Sequence, residues 1–337
     1  MIGDLAVSDD KLRDVPIDIP TRFSRFQPLT NSQFCSLQQK IIIVNPHFAV
    51  GWSGSRIIAR FIIKFLRKNL ATPYSADQIL RLIEDSGLKP SDLEKVSFIF
   101  FLFRPDEEKV EIQDYRTGET IMGHREKVKY AGSGAFHFFD TIAFDILGTD
   151  GQLNETEKVI AVFLSRISIV LFEEITTDIT HNFYYGGGFE MIGCNGPAKR
   201  FEKIPLSYVF WTFDDESLNL CGPIFAQNYT DDVRLIITRL AKDEAGAWQA
   251  RSFLIRNLLH AHTDDRVPAR SRNFDTPFCV HYFIPRTSSA NFYLMIKKGD
   301  EKGFSIEFSE STNKLKMHVS ERFQNEARAL CEGRLPA

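Results

Sequence analysis

Residues 38–55 read QQKIIIVNPHFAVGWSGS, and an amphipathic helix starts directly after them at Arg56. Lys40 heads the apolar run Ile41 to Val44, Asn45 to His47 supply a turn, and a second apolar run ends among Gly51, Ser53, Gly54 and Ser55. The pattern predicts a β-hairpin that passes through a small-residue turn into a helix, with Ser53 or Ser55 as N-cap. A lysine at a strand start can activate a nucleophile. A glycine whose N–H is free where the second strand ends can bind an oxyanion.

Outward from this hairpin, apolar residues at 57, 58, 61, 62, 65, 66 and 70 predict a helix over 56–70, with Arg56, Arg60, Lys64, Arg67 and Lys68 on its other face. Ser75 caps a second helix over 76–86 that stops at Gly87. Strands are expected at 96–103, 110–115 and 120–130, then helices at 135–147 and 155–175 (the latter capped by Asn154), then strands at 183–192 and 206–213. Upstream, residues 2–8 read as a strand and 9–37 as a long loop carrying Pro16, Pro20 and Pro28. Downstream, the spacing predicts a strand at 233–240, a helix at 247–260, a charged linker at 262–273, four strands between 279 and 319, and a helix from Glu321. The expected division is a layered α+β domain over 1–213 and a smaller α/β region over 214–337.

Composition narrows the class. The 337 residues are 43% hydrophobic and 25% charged, with a formal net charge of −3, which argues against nucleic acid as a partner. Five scattered cysteines without a CxxC pair suit reduced thiols in a cytoplasm. The longest apolar run, Val159 to Phe172, is broken by Ser165, Arg166 and Ser168, so it reads as a buried helix and no membrane partner is expected. Met1 is followed by Ile-Gly-Asp-Leu, which has none of the character of a signal peptide.

Lys40, Gly51, Asp4 and the later Gly132-Ser133-Gly134, in this order of elements, resemble the N-terminal nucleophile hydrolases of the proteasome β-subunit type. The resemblance covers roughly the first two-thirds of the chain and rests on short motifs and element order. It implies an αββα four-layer sandwich with an additional C-terminal α/β region. It implies a peptidase or amidase in which Lys40 lowers the pKa of the nucleophile, Asp4 holds Lys40, the Gly51 N–H forms the oxyanion hole, and Ser133 supports the N-terminal amine. It also implies a peptide or amide substrate, and assembly of several copies through their helices.

Two features depart from that pattern. The nucleophile of the family would lie on the order of 15 residues before Asp4, on a first strand that this chain does not contain. The chain as given is therefore expected to be inactive, with a nucleophile encoded upstream of Met1 in an active form. A non-catalytic assembly or binding protein on the same fold is the alternative. The family's aspartate and serine before the late glycine pair would fall near Asn182 and Tyr185, where neither residue type is present.

Other candidates carry plainer readings. Gly186 to Gly188 lacks the spacing of a phosphate loop. His260 and His262 with Asp264 and Asp265 have the residue types of a metal site without a well-spaced third ligand. Cys35 has no adjacent α-amine and is not the expected nucleophile. No cofactor is expected.

Overall fold

A computed structural model describes residues 1–13, 20, 32–70, 75–122, 126–132, 155–177, 187–195, 198–213, 217–230, 234–259, 274–285, 292–298, 303–309 and 311–332. The hairpin forms as its sequence predicts. Strand β4 (Ile41–Asn45) pairs with β5 (Phe48–Gly54), and β6 (Val96–Arg104) and β7 (Lys109–Tyr115) complete an antiparallel sheet in the order β4-β5-β6-β7. Gly54 ends β5 at φ +86, and a Cβ there would stand 2.1 Å from the Lys95 carbonyl oxygen. Only glycine lets the chain turn there into α1 (Arg56–Asn69).

Helix α1 and helix α2 (Ala76–Glu84), the latter capped by Ser75, cover one face of this sheet. Ile62, Ile63 and Leu66 of α1 pack there with Ile42, Val50, Trp52, Phe98 and Phe100. A one-turn helix α3 (Pro90–Leu93) leads into β6. On the opposite face, Ile41, Ala49 and Phe103 meet Ile192 of β10 (Phe189–Asn195) and Phe201 of β11 (Arg200–Lys203). Strand β1 (Ile2–Asp4) runs antiparallel to β10. The chain from Ala6 to Arg13 forms β2, which pairs with β3 (Ser32–Leu37) inside the stretch expected to be a loop. Strands β8 (Gly118–Met122) and β9 (Glu126–Tyr130) make a separate pair.

The largest sheet lies further along the chain. Strands β12 (Leu206–Phe213), β13 (Leu218–Tyr229), β14 (Leu235–Lys242), β15 (Trp248–Ile255), β16 (Phe278–Pro285) and β17 (Tyr293–Lys298) order as β15-β14-β13-β12-β16-β17. All neighbours are antiparallel except β12 and β16, which run parallel. Helix α4 (Glu155–Thr177) packs on one face through Leu164, Ile167 and Leu171. The other face is covered by α5 (Glu321–Cys331) and by β18 (Phe304–Ser309) paired with β19 (Lys314–Val319). Covered on both sides, β12 is buried from Leu206 to Trp211, as a central strand should be.

The αββα four-layer sandwich expected from the sequence is not the architecture this chain adopts. The described residues are 50% strand and 24% helix, with five helices and several antiparallel sheets. The physical reason lies mainly after residue 213. Residues 247–260, expected to be helical, contain β15, whose eight residues pair with β14 from Trp248 opposite Lys242 to Ile255 opposite Leu235. Strand β13, over residues where the sequence reading places no strand, carries Gly222 and Pro223. Both residues fall at an irregularity in the β12–β13 register between Val209 and Trp211, the position where a strand tolerates proline. Position 213 is the last residue of β12, whose two neighbours β13 and β16 both lie beyond it. The helix expected over 135–147 falls outside the described residues.

Candidate functional site

Lys40 is delivered by two buried glutamines. The Gln38 N–H donates to the Leu5 carbonyl, and the Gln39 N–H donates to the Arg256 carbonyl. The Gln39 side-chain amide donates to Ile255 O at 3.0 Å, and that of Gln38 to Arg256 O. These bonds pin the chain between the end of β1 and the end of β15, immediately ahead of Lys40.

The Lys40 ammonium stands 3.7 Å from Asp4 Oδ1, with side-chain exposures of 15% and 22%. It also lies 5.2 Å from the centre of the Trp52 ring, whose Nε1 donates to Gln39 O at 3.1 Å. Trp52 and Lys40 meet because they are cross-strand neighbours, with the Trp52 N–H bonded to Lys40 O. A partly exposed ion pair contributes only about 0–1 kcal/mol to stability, so this arrangement does little for the fold. What it does is fix a cation between a carboxylate and an aromatic face. Such a cation can lower the pKa of a nearby hydroxyl or thiol.

A second, buried pair lies directly behind it. Glu190 of β10 and Lys203 of β11 form an ion pair with side-chain exposures of 0% and 4%. Glu190 Oε1 accepts the Ile41 N–H at 2.6 Å, and Lys203 Nζ donates to Ile41 O at 2.7 Å. Burial pushes the Glu190 carboxyl up from its ordinary value, against the pull of Lys203 and the backbone N–H groups of Ile41 and Lys40. Burial likewise pushes the Lys203 amine down, against the pull of Glu190.

Gly51 is placed differently from its expected role. The Phe103 N–H donates to His47 O, and the Ser55 N–H donates to Lys95 O. The register between them is unbroken, so alternation makes Gly51 and Ile99 a hydrogen-bonded pair of the β5–β6 ladder. The Gly51 N–H therefore points into the sheet. Its missing Cβ would face the Met1 sulfur at 2.8 Å, on the side of the sheet away from Trp52.

Ser133 lies outside the described residues. So do Asn182, Tyr185, His260, His262, Asp264, Asp265 and the side chain of Cys35. Gly187 and Gly188 are described and buried beside the site. The Gly187 N–H donates to Glu174 Oε1 at 2.6 Å, and Gly188 O accepts the Leu5 N–H at 3.2 Å.

The structure thus brings Lys40 and Asp4 together and adds Trp52, Glu190 and Lys203, which sequence reasoning missed. Trp52 was findable from the hairpin register; the other two carry no local signal. Among the described residues, no group of three or more histidine, cysteine or acidic side chains is arranged to hold a metal, and no helix is long and apolar enough to cross a membrane. No protein-family model matches the chain and no curated protein aligns with it, so the meaning of this site rests on its geometry.

Proposed function

We propose that the protein is an amide-bond hydrolase, a peptidase or amidase, in which Lys40 is the activating cation. The observation that carries this reading is the Lys40–Asp4 contact at 3.7 Å against the Trp52 ring, assembled from distant parts of the chain. In this reading a hydroxyl or thiol nucleophile attacks the amide carbonyl, with Lys40 stabilising its deprotonated form. The C–N bond breaks, the amine leaves with a proton, and water hydrolyses the acyl intermediate. Asp4 holds Lys40 in place. The oxyanion donor is a group other than the Gly51 N–H, which the β5–β6 ladder uses. The thiols of Cys194, Cys221, Cys279 and Cys331, which form no disulfide among the described residues, support a cytoplasmic setting.

A second reading, a non-catalytic binding or assembly protein, is favoured by that same Gly51 geometry and by the Met1 side chain seated against Gly51. Turnover of a library of peptidyl-aminomethylcoumarins by wild type and by Lys40→Ala separates the two. The hydrolase reading expects cleavage by the mature protein purified from its native source, which carries the nucleophile, and a loss of kcat/KM of roughly 100-fold or more in a folded Lys40→Ala variant of that same form. Equal rates in both proteins, or no cleavage of any library member by either, would overturn it in favour of binding.

A further inference from the structure

Strand β4 is the first in its sheet, so one of its edges has no strand neighbour among the described residues. The Trp52 N–H bond to Lys40 O makes residues 40 and 52 a hydrogen-bonded pair, and alternation then turns the N–H and C=O of Ile41 outward, away from β5. At that edge two side chains stand where a strand would be. Glu190 supplies the acceptor for the Ile41 N–H at 2.6 Å, and Lys203 supplies the donor for Ile41 O at 2.7 Å. The two side chains bond to each other, and the Lys203 ammonium lies 5.5 Å from the centre of the Tyr229 ring. The residue they grip, through the peptide groups on either side of it, is the one that immediately follows Lys40.

We propose that Glu190 and Lys203 are positioning residues for Lys40. Their ion pair imitates a β-strand and locks the backbone from which the Lys40 side chain reaches Asp4 and Trp52. The proposal rests on the reading of Lys40 as the working group of the site, but its test does not need turnover. The polarity of the clamp matters: the carboxylate must face the N–H and the ammonium the C=O. An ion pair of reversed polarity would keep the charges and lose the grip.

The test compares wild type with Glu190→Met/Lys203→Met, which removes both charges and both hydrogen-bonding groups while keeping comparable side-chain volume, and with Glu190→Gln alone, which keeps an acceptor for the Ile41 N–H. Two quantities are read in each folded protein. One is the hydrogen-exchange rate of the Ile41 amide. The other is the acylation rate of Lys40 by acetic anhydride, relative to exposed Lys68 in the same sample. In the double variant the clamp requires Ile41 exchange to accelerate roughly 10-fold or more and Lys40 labelling to rise at least about 3-fold, with a smaller change in Glu190→Gln. Both rates within about twofold of wild type in the folded double variant would overturn the clamp and leave the hydrolase reading standing. Accelerated exchange with unchanged Lys40 labelling would reduce the pair to an edge cap and overturn its positioning role. Both rates rising in a protein that cleaves no amide would keep the clamp and remove the hydrolase reading. If the double variant does not fold, Glu190→Gln decides: no change in either rate overturns the proposal.

Discussion

A carboxylate and an ammonium shielded from water sit uneasily together unless each finds further hydrogen bonds, and Glu190 and Lys203 find theirs on one residue of β4, Ile41. Their burial has a pH consequence with a definite sign. Because burial raises the Glu190 value in the folded state, the folded protein holds that proton to higher pH than the unfolded chain does. The stability this contributes is full below the ordinary value of 4.5 and is lost as pH rises through the folded-state value. Lys203, pushed down by burial, acts in the opposite sense: its contribution is present above 10.5 and is lost as pH falls through its folded-state value. Urea unfolding of wild type and Glu190→Gln at stepped pH should therefore show the wild-type advantage shrinking as pH climbs from 4.5. An advantage that stays flat or grows would contradict the burial. The Asp4–Lys40 pairing was legible because Lys40 heads an apolar run and Asp4 lies in the strand read before it, in a recognisable order. Glu190 and Lys203 were not, since a charge declares itself buried only once its surroundings are known.

At the scale of elements, the two helices after the hairpin follow the periodicity of their sequences, and the long helix Glu155–Thr177 forms where the apolar run Val159 to Phe172 reads as a buried helix. The apolar stripe of α1 is nevertheless wider than its buried face. Ile57 is 79% exposed and Phe61 45%, whereas Ile62 is fully buried. Ile57→Gln should thus change stability by less than about 0.5 kcal/mol, while Ile62→Ala should cost about 2–5 kcal/mol in urea unfolding. Gly54→Ala should destabilise by more than about 1 kcal/mol, because a positive φ and the Lys95 carbonyl both oppose a Cβ there. A Gly54→Ala variant as stable as wild type would mean that the β5–α1 turn is built differently. Strand β15 shows where periodicity fails. Its apolar residues at 248, 250, 253, 254 and 255 fit a helical face and a strand equally well, and pairing with β14 decides between them. In β13 the Gly222-Pro223 pair sits at the register irregularity, and the strand continues through residues that usually end one.

For the whole molecule, the error in reading 214–337 as an addition to a layered sandwich has a single source. No local signal tells β12 that its neighbours are β13 and β16, which follow it across turns and a long connection. The consequence is testable in a fragment. Residues 1–213 would leave β12 without either hydrogen-bonded neighbour and would expose Tyr208, Phe210 and Trp211, all buried in the full chain. Such a fragment should show no cooperative unfolding transition in urea, whereas the full chain should. A cooperatively folded fragment would mean that the six-stranded sheet is dispensable to the site. The sheet is tied to the site by Ile255 and Arg256, whose carbonyls hold Gln38 and Gln39 ahead of Lys40.

The most direct test of Lys40 as an activating cation is covalent. The mature protein from its native source is incubated with p-nitrophenyl acetate and its acetylated residues are mapped by mass spectrometry, in wild type and in Lys40→Ala. A working site yields one acetylated serine, threonine or cysteine adjoining Lys40, formed at least about 100-fold more slowly in the variant. Acetyl groups scattered over surface lysines, with the same pattern in both proteins, would contradict the assignment of Lys40 to chemistry.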